Sequence, residues 1–120
     1  ALAEGQVHGG QSMSIGLALQ EELLFDPRNG KPLNNNLLDY KLCTTVDHPD
    51  LEAMFIENPE PTSAFGTKAL GEPPTCSPAP AIRNAILQAT GVPLYHAPMT
   101  PHQLFARFTE TGLIGESLHV

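Results

Sequence analysis

Proline and glycine set the first limit on what this chain can become. Twelve prolines and ten glycines stand among its 120 residues, many in short clusters such as Asp26-Pro27-Arg28-Asn29-Gly30 and Gly71-Glu72-Pro73-Pro74. Proline fixes its own φ and has no amide proton, so regular elements stop at such clusters. The chain is expected to fold as short elements joined by stiff loops, a form that suits a piece wrapped against a larger body.

The remaining composition allows a modest core. A chain of this length buries roughly two-thirds of the surface its unfolded form exposes. The 41% apolar and 16% charged content is that of a globular chain rather than a disordered one. Residues 1–120 make one domain at most, and the start at Ala1 without Met reads as a cut or processed end of an incomplete domain. A net charge of −7, with six basic residues scattered singly, leaves no footprint for a phosphate backbone and excludes nucleic acid as a partner. No apolar run reaches the roughly 18 residues a membrane helix needs. The first ten residues lack the basic flank and apolar stretch of a secretion signal. The location expected on these grounds is cytoplasmic. Cys43 and Cys76 lie far apart without Cys-x-x-Cys spacing, so both are expected as reduced, partly buried thiols.

Periodicity and punctuation predict three helices. From Gln11 to Phe25 the residues Ile15, Ala18, Leu19 and Leu23 follow helical spacing, with Gln20, Glu21 and Glu22 on a wet face. Gly16 costs that helix roughly 1 kcal/mol relative to alanine, tolerable where another group must come close; Gly9 and Gly10 make its start permissive. Asp26 to Gly30 should reverse the chain into an extended return. Leu51 to Glu57, between prolines, reads as a buried strand. Ser77-Pro78 opens a second helix with Ile82, Ala85, Ile86 and Ala89 on one face and Gly91 as a left-handed cap. Val92 to Ala97 reads as another strand. Thr100-Pro101-His102-Gln103 opens a third helix carrying Leu104, Phe105 and Phe108 inward. The fold class expected is α+β, with helices packed on a mixed or antiparallel sheet.

Phe65 to Cys76, FGTKALGEPPTC, is the most unusual stretch. Pro73 biases Glu72 toward extended backbone, and Gly71 opens angles closed to other residues, so the carboxylate should stand on a stiffened loop. A base that takes a proton needs that kind of placement. The same residues read equally as a surface turn with a solvated charge, and Lys68 as a surface cation. The five histidines and two cysteines show none of the spacings that preorganise zinc, so no protein-ligated metal is expected. His8 and His119 are expected to be solvated. Phosphate-cradling glycine loops and the nucleophile-elbow pattern are absent from the sequence.

Taken in order, QVHGGQSMSIGLALQEELLFD (6–26), NNLLDYKL (35–42), GTKALGEPP (66–74), APAIRNAILQATGV (79–92) and APMTPHQLF (97–105) resemble the C-terminal part of the molybdopterin-binding subunit of the xanthine dehydrogenase and aldehyde oxidase family. The wording of the second and third segments is most like bacterial purine or xanthine dehydrogenases. The resemblance implies an oxidoreductase of purine catabolism that hydroxylates a purine such as xanthine or hypoxanthine at a carbon next to nitrogen, with oxygen from water and Glu72 as general base. It implies molybdenum held through the pterin dithiolene, with Gly71, Lys68 and Met13 as cofactor-facing residues; many members carry glutamine where Met13 stands. It further implies 2Fe-2S clusters, FAD and NAD in partner domains or subunits, alongside the remainder of the molybdenum subunit. This chain alone is then expected to be inactive. An aldehyde or other N-heterocycle as substrate, or a non-catalytic assembly module, are the alternatives.

Overall fold

The computed structural model describes residues 1–115 and contains three α-helices, α1 (Leu2–Leu19), α2 (Pro78–Thr90) and α3 (Pro101–Glu110), with two short 3₁₀ turns at Ala64–Gly66 and Pro73–Thr75. No strand or sheet occurs among the described residues; a lone antiparallel bridge joins Phe25 to Pro32. The expected α+β arrangement of helices on a sheet is therefore wrong for this chain. A strand exists only where a second strand takes its amides and carbonyls, and neither segment predicted as a strand finds one here. Leu51 to Glu57 runs unpaired, with Met54 92% and Ile56 89% exposed. Val92 to Ala97 crosses the core instead, giving Leu94 O to the Arg83 side chain at 3.0 Å.

Helix α1 starts nine residues before the predicted Gln11 and stops well before Phe25. Gly5, Gly9 and Gly10 lie inside it rather than ahead of it. At its end the amides of Gln20 and Glu21 both reach Gly16 O at 2.9 Å, and the Glu21 side chain fills the space a Cβ on Gly16 would need. Glu21 and Glu22 are not simply wet. Glu21 accepts a 2.7 Å bond from the Tyr40 hydroxyl and Glu22 a 3.1 Å bond from Gln103.

Beyond α1 the chain reverses as its sequence indicates. Asp26 N donates to Lys31 O at 2.9 Å, Gly30 takes φ 69°, and Asp26 gathers the Arg28 and Asn29 side chains. Buried Asn34 accepts from Leu24 N at 2.8 Å and donates to Glu22 O at 2.6 Å, tying the return to the end of α1.

Local chemistry sets α2 and α3. Both have proline in their first turn, where the missing amide proton costs nothing. Gly91 closes α2 in the left-handed region, its amide 2.8 Å from Leu87 O. Thr100 caps α3 through its hydroxyl and Gln103 N at 3.3 Å. The core is small: Ala18, Leu94 and Met99 are buried together, with Leu19, Ala79, Ile82, Ile86 and Leu104 packed against them. Ala85 and Ala89, expected on the inward face of α2, are exposed, as is Phe105. The inward stripe is Ala79, Ile82 and Ile86.

The shape is drawn out. The Cα radius of gyration is 18.6 Å, against about 14 Å for a compact domain of this length. Most of residues 33–70 has no helix, and large apolar side chains such as Leu37, Leu38, Val46 and Phe65 stand exposed there.

Candidate functional site

One face of α1 organises the region around Glu72. Residues spaced by four lie above one another on a helix, and Gln6, Gly10, Ser14 and Ala18 form such a row. Each meets a different part of the downstream chain. Gln6 Nε2 donates to Gly71 O at 2.9 Å. Gly10 lies against Pro74: a Cβ there would stand 2.7 Å from Pro74 Cβ and 3.3 Å from Thr75 N. Buried Ser14 accepts from Ala79 N at 2.9 Å, serving the first turn of α2 across 65 residues of sequence, while Ser77, the expected cap, makes no side-chain capping bond. Ala18 O accepts from Met99 N and its side chain lies in the core. The row thus fixes Gly71, Pro74 and Ala79, and Glu72 lies between the first two.

The turn at Glu72 differs from the expected extended form. Glu72 takes φ −89°, ψ −18°, despite the disfavour a following proline places on that region. The 3₁₀ turn compensates, since Glu72 O accepts from Thr75 N at 2.8 Å and Thr75 Oγ1 at 2.6 Å, and Pro73 O from Cys76 N at 3.2 Å. Glu72 O and Pro73 O are both taken up by the turn, and the Glu72 side chain is exposed with no hydrogen-bond or ion-pair partner among the described residues. What braces Glu72 is a hydrogen-bonded turn docked on α1 rather than extended backbone set by Pro73.

The other expected site residues lie around this turn unequally. Gly71 adjoins Glu72 and has open space where a Cβ would be built. Met13 is on α1, 55% exposed, three residues beyond Gly10 and seven beyond Gln6, and so flanks their row. Lys68 instead lines a depression of about 330 Å³ with Ile56, Glu57, Asn58, Pro59 and Gly66, and nothing brings it to Glu72. A groove of about 460 Å³ between α1 and α2, lined by Ile15, Leu19, Pro49, Leu51, Pro78 and Ile82, also excludes the turn.

Among the described residues no three His, Cys, Asp or Glu side chains are grouped to hold a metal. Cys43 is half-buried, Cys76 exposed, and both are free thiols. Burial raises the Cys43 thiol above its ordinary range, with help from the Asp47 and Glu21 carboxylates. His8, expected to be solvated, is half-buried with an enclosed, unpartnered Nε2. His119 lies outside the described residues. Gln6 and Ser14 were not singled out from sequence, and Gly10 only as part of a permissive helix start, although their four-residue spacing of small and amide side chains was the available signal.

Residues 1–49 match the family described as molybdopterin cofactor-binding domain. Over 113 residues, 94% of this chain, 54% are identical to the xanthine dehydrogenase molybdenum-binding subunit of Escherichia coli O157:H7. The aldehyde oxidoreductase molybdenum-binding subunit of Escherichia coli K12 is 33% identical over 109 residues, 90% of this chain. In each case the chain spans 15% of the relative's length. The crystal structure of quinoline 2-oxidoreductase from Pseudomonas putida 86 superimposes with a TM-score of 0.81 and 34% identity, covering 89% of this chain and 14% of that one.

Proposed function

We propose, because this chain belongs to the molybdopterin-binding subunits of the xanthine dehydrogenase and aldehyde oxidase family, that it supplies the general base of a molybdenum hydroxylase acting on a purine such as xanthine or hypoxanthine, and that Glu72 is that base. The observation that carries the reading is the placement of Glu72. Its backbone is held between two contacts with α1, at Gly71 and Pro74, while its carboxylate has no partner among the described residues. A carboxylate bonded to internal donors has its oxygens occupied; this one leaves both open to a donor brought by a substrate or cofactor.

The residues present fit a cofactor carried mainly by the rest of the subunit. Around the turn, Gly71 leaves room for close approach and Gly9 on α1 likewise has open space at its Cβ position. Met13 offers only a weakly accepting thioether, so this chain contributes space and a base rather than a set of ligands. Bound through its pterin dithiolene, molybdenum would supply two-electron oxidation with water as the oxygen source. Glu72 accepts the proton released as the new carbon–oxygen bond forms, Gly71 keeps the approach open, and Lys68 would act on the cofactor only through residues outside this chain. Iron–sulfur clusters, FAD and NAD would reside in partner domains or subunits and carry the electrons away.

Identity of 54% to a xanthine dehydrogenase subunit against 33% to an aldehyde oxidoreductase subunit favours the purine reading. Similarity to quinoline 2-oxidoreductase supports a second reading, in which another N-heterocycle is hydroxylated by the same base. The ratio of kcat/KM for xanthine, quinoline and benzaldehyde in the assembled enzyme separates them. Glu72→Gln in that enzyme tests the base: turnover should fall at least ~100-fold with molybdopterin content unchanged. Turnover within a few-fold of wild type removes the assignment.

A further inference from the structure

The stretch from Leu51 to Glu57 has the composition of a strand and the surroundings of none. From His48 to Glu60 the backbone forms no helix, strand, turn or bend. From His48 through Pro59 no amide or carbonyl is hydrogen-bonded among the described residues. Side chains alternate along such a straight run. Leu51, Ala53 and Phe55 are the more covered set, with Leu51 reaching the groove between α1 and α2, whereas Met54 and Ile56 are almost wholly exposed. Both faces are apolar, which is the pattern of a strand covered on two sides, yet this chain covers only one. Proline stands at 49 and again at 59, so the intervening residues keep every amide needed for a ladder.

Resting on the reading that the chain works within a molybdenum-binding subunit, we infer that residues 51–57 dock by adding as a strand to a sheet edge in the part of that subunit this chain does not span. The relatives are more than six times longer than the matched segment, which occupies 15% of their length, so a large body is available to provide the edge. Charge argues for that occupant over a second copy of the chain. Between Leu42 and Thr67 there are Asp47, Asp50, Glu52, Glu57 and Glu60 and no Lys or Arg. Pairing two copies would bring like charges together, which opposes strand association. The receiving edge is accordingly flanked by Lys or Arg. Main-chain hydrogen bonds supply the docking, and pockets for Met54 and Ile56 fix the register.

Amide hydrogen exchange of residues 52–57 tests this, compared between the 120-residue chain and the same chain within the assembled subunit. Exchange in the assembled subunit should slow at least 100-fold, while in the chain alone it stays fast at every concentration. Alternate amides face a receiving edge, so one of Phe55→Pro and Ile56→Pro removes a ladder amide and should lower the yield of assembled subunit at least tenfold, and Phe55→Val and Ile56→Val, which keep both, should not. Fast exchange throughout residues 52–57 in the assembled subunit, concentration-dependent protection in the isolated chain, or normal assembly of both proline variants would each overturn the inference. Its failure is distinct from failure of the functional reading. Fast exchange in an enzyme whose turnover depends on Glu72 sinks the strand and leaves the base, whereas slowed exchange with unchanged Glu72→Gln turnover does the reverse.

Discussion

Gly10 and Pro74 meet so closely that any side chain at position 10 would force them apart: an added Cβ would lie 2.7 Å from Pro74 Cβ and 3.2 Å from its carbonyl carbon. The contact seats the Glu72 turn on α1. Glycine within a helix costs about 1 kcal/mol relative to alanine, and here that cost is offset by an approach alanine would forbid.

Gly10→Ala should therefore destabilise the chain by about 1–3 kcal/mol through overpacking, despite the better helix propensity of alanine. Gly5→Ala, in the same helix with nothing within 4 Å of its Cβ position, should stabilise it by about 0.5–1 kcal/mol. Thermal or urea unfolding of the two variants beside wild type checks both signs. If Gly10→Ala also stabilises, the turn does not rest on α1 as described.

Ser14 is 2% exposed and its hydroxyl is the sole acceptor for Ala79 N among the described residues. Ser14→Ala leaves a part-buried amide unpaired at the start of α2 and should cost about 1–2 kcal/mol. Ser77→Ala, at the position sequence would choose as the cap, should change stability by no more than about 0.5 kcal/mol. Equal effects at the two positions would contradict the capping of α2 from α1.

That pair shows where the sequence was legible and where it was not. The proline starts of α2 and α3, the Gly91 stop, the Thr100 cap and the reversal at Asp26–Gly30 depend on residues within a few positions of one another, so local chemistry reveals them. The partner of Ala79 N lies 65 residues away and nothing near Ser77 hints at it. The strands failed for the same reason: Leu51–Glu57 has strand composition, but pairing depends on a second segment that this chain lacks. Glu72 was picked out by its proline neighbours, yet its conformation was misread, because Thr75 bonding to Glu72 O outweighs the local bias of Pro73.

Acid should loosen the reversal after α1. The Arg28 guanidinium and amide beside Asp26 hold its carboxyl below the ordinary 3.8. Asp47 and Glu60 are likewise lowered by bonds from Thr44 and Thr62. A carboxylate favoured in the folded state contributes fully above its unfolded pKa and loses that contribution as pH falls through the lower folded value. The melting temperature should therefore drop as pH goes below about 3.8. Asp26→Asn should melt lower than wild type at neutral pH and show a shallower fall in acid. Arg28 is exposed, so added salt should narrow the difference between the two at neutral pH.

The two thiols should differ in reactivity. The thiolate is the nucleophile, and groups that disfavour it slow alkylation. Cys43 is half-buried, and burial together with the nearby Asp47 and Glu21 carboxylates raises its pKa above 9.0, whereas Cys76 is exposed beside the Glu72 turn. With limiting iodoacetamide at neutral pH the 120-residue chain should gain its first adduct at Cys76, with Cys43 slower by at least about tenfold. Asp47→Asn removes one of the opposing charges while keeping an oxygen to accept from Thr44 N, and should speed Cys43 without altering Cys76. Peptide mapping of the adducts reads both rates. Equal rates in the native chain would mean that the loop from Tyr40 to Asp47 does not shield Cys43 in solution. A Cys43 rate unmoved by Asp47→Asn would leave burial and the Glu21 carboxylate as the causes of its slowness.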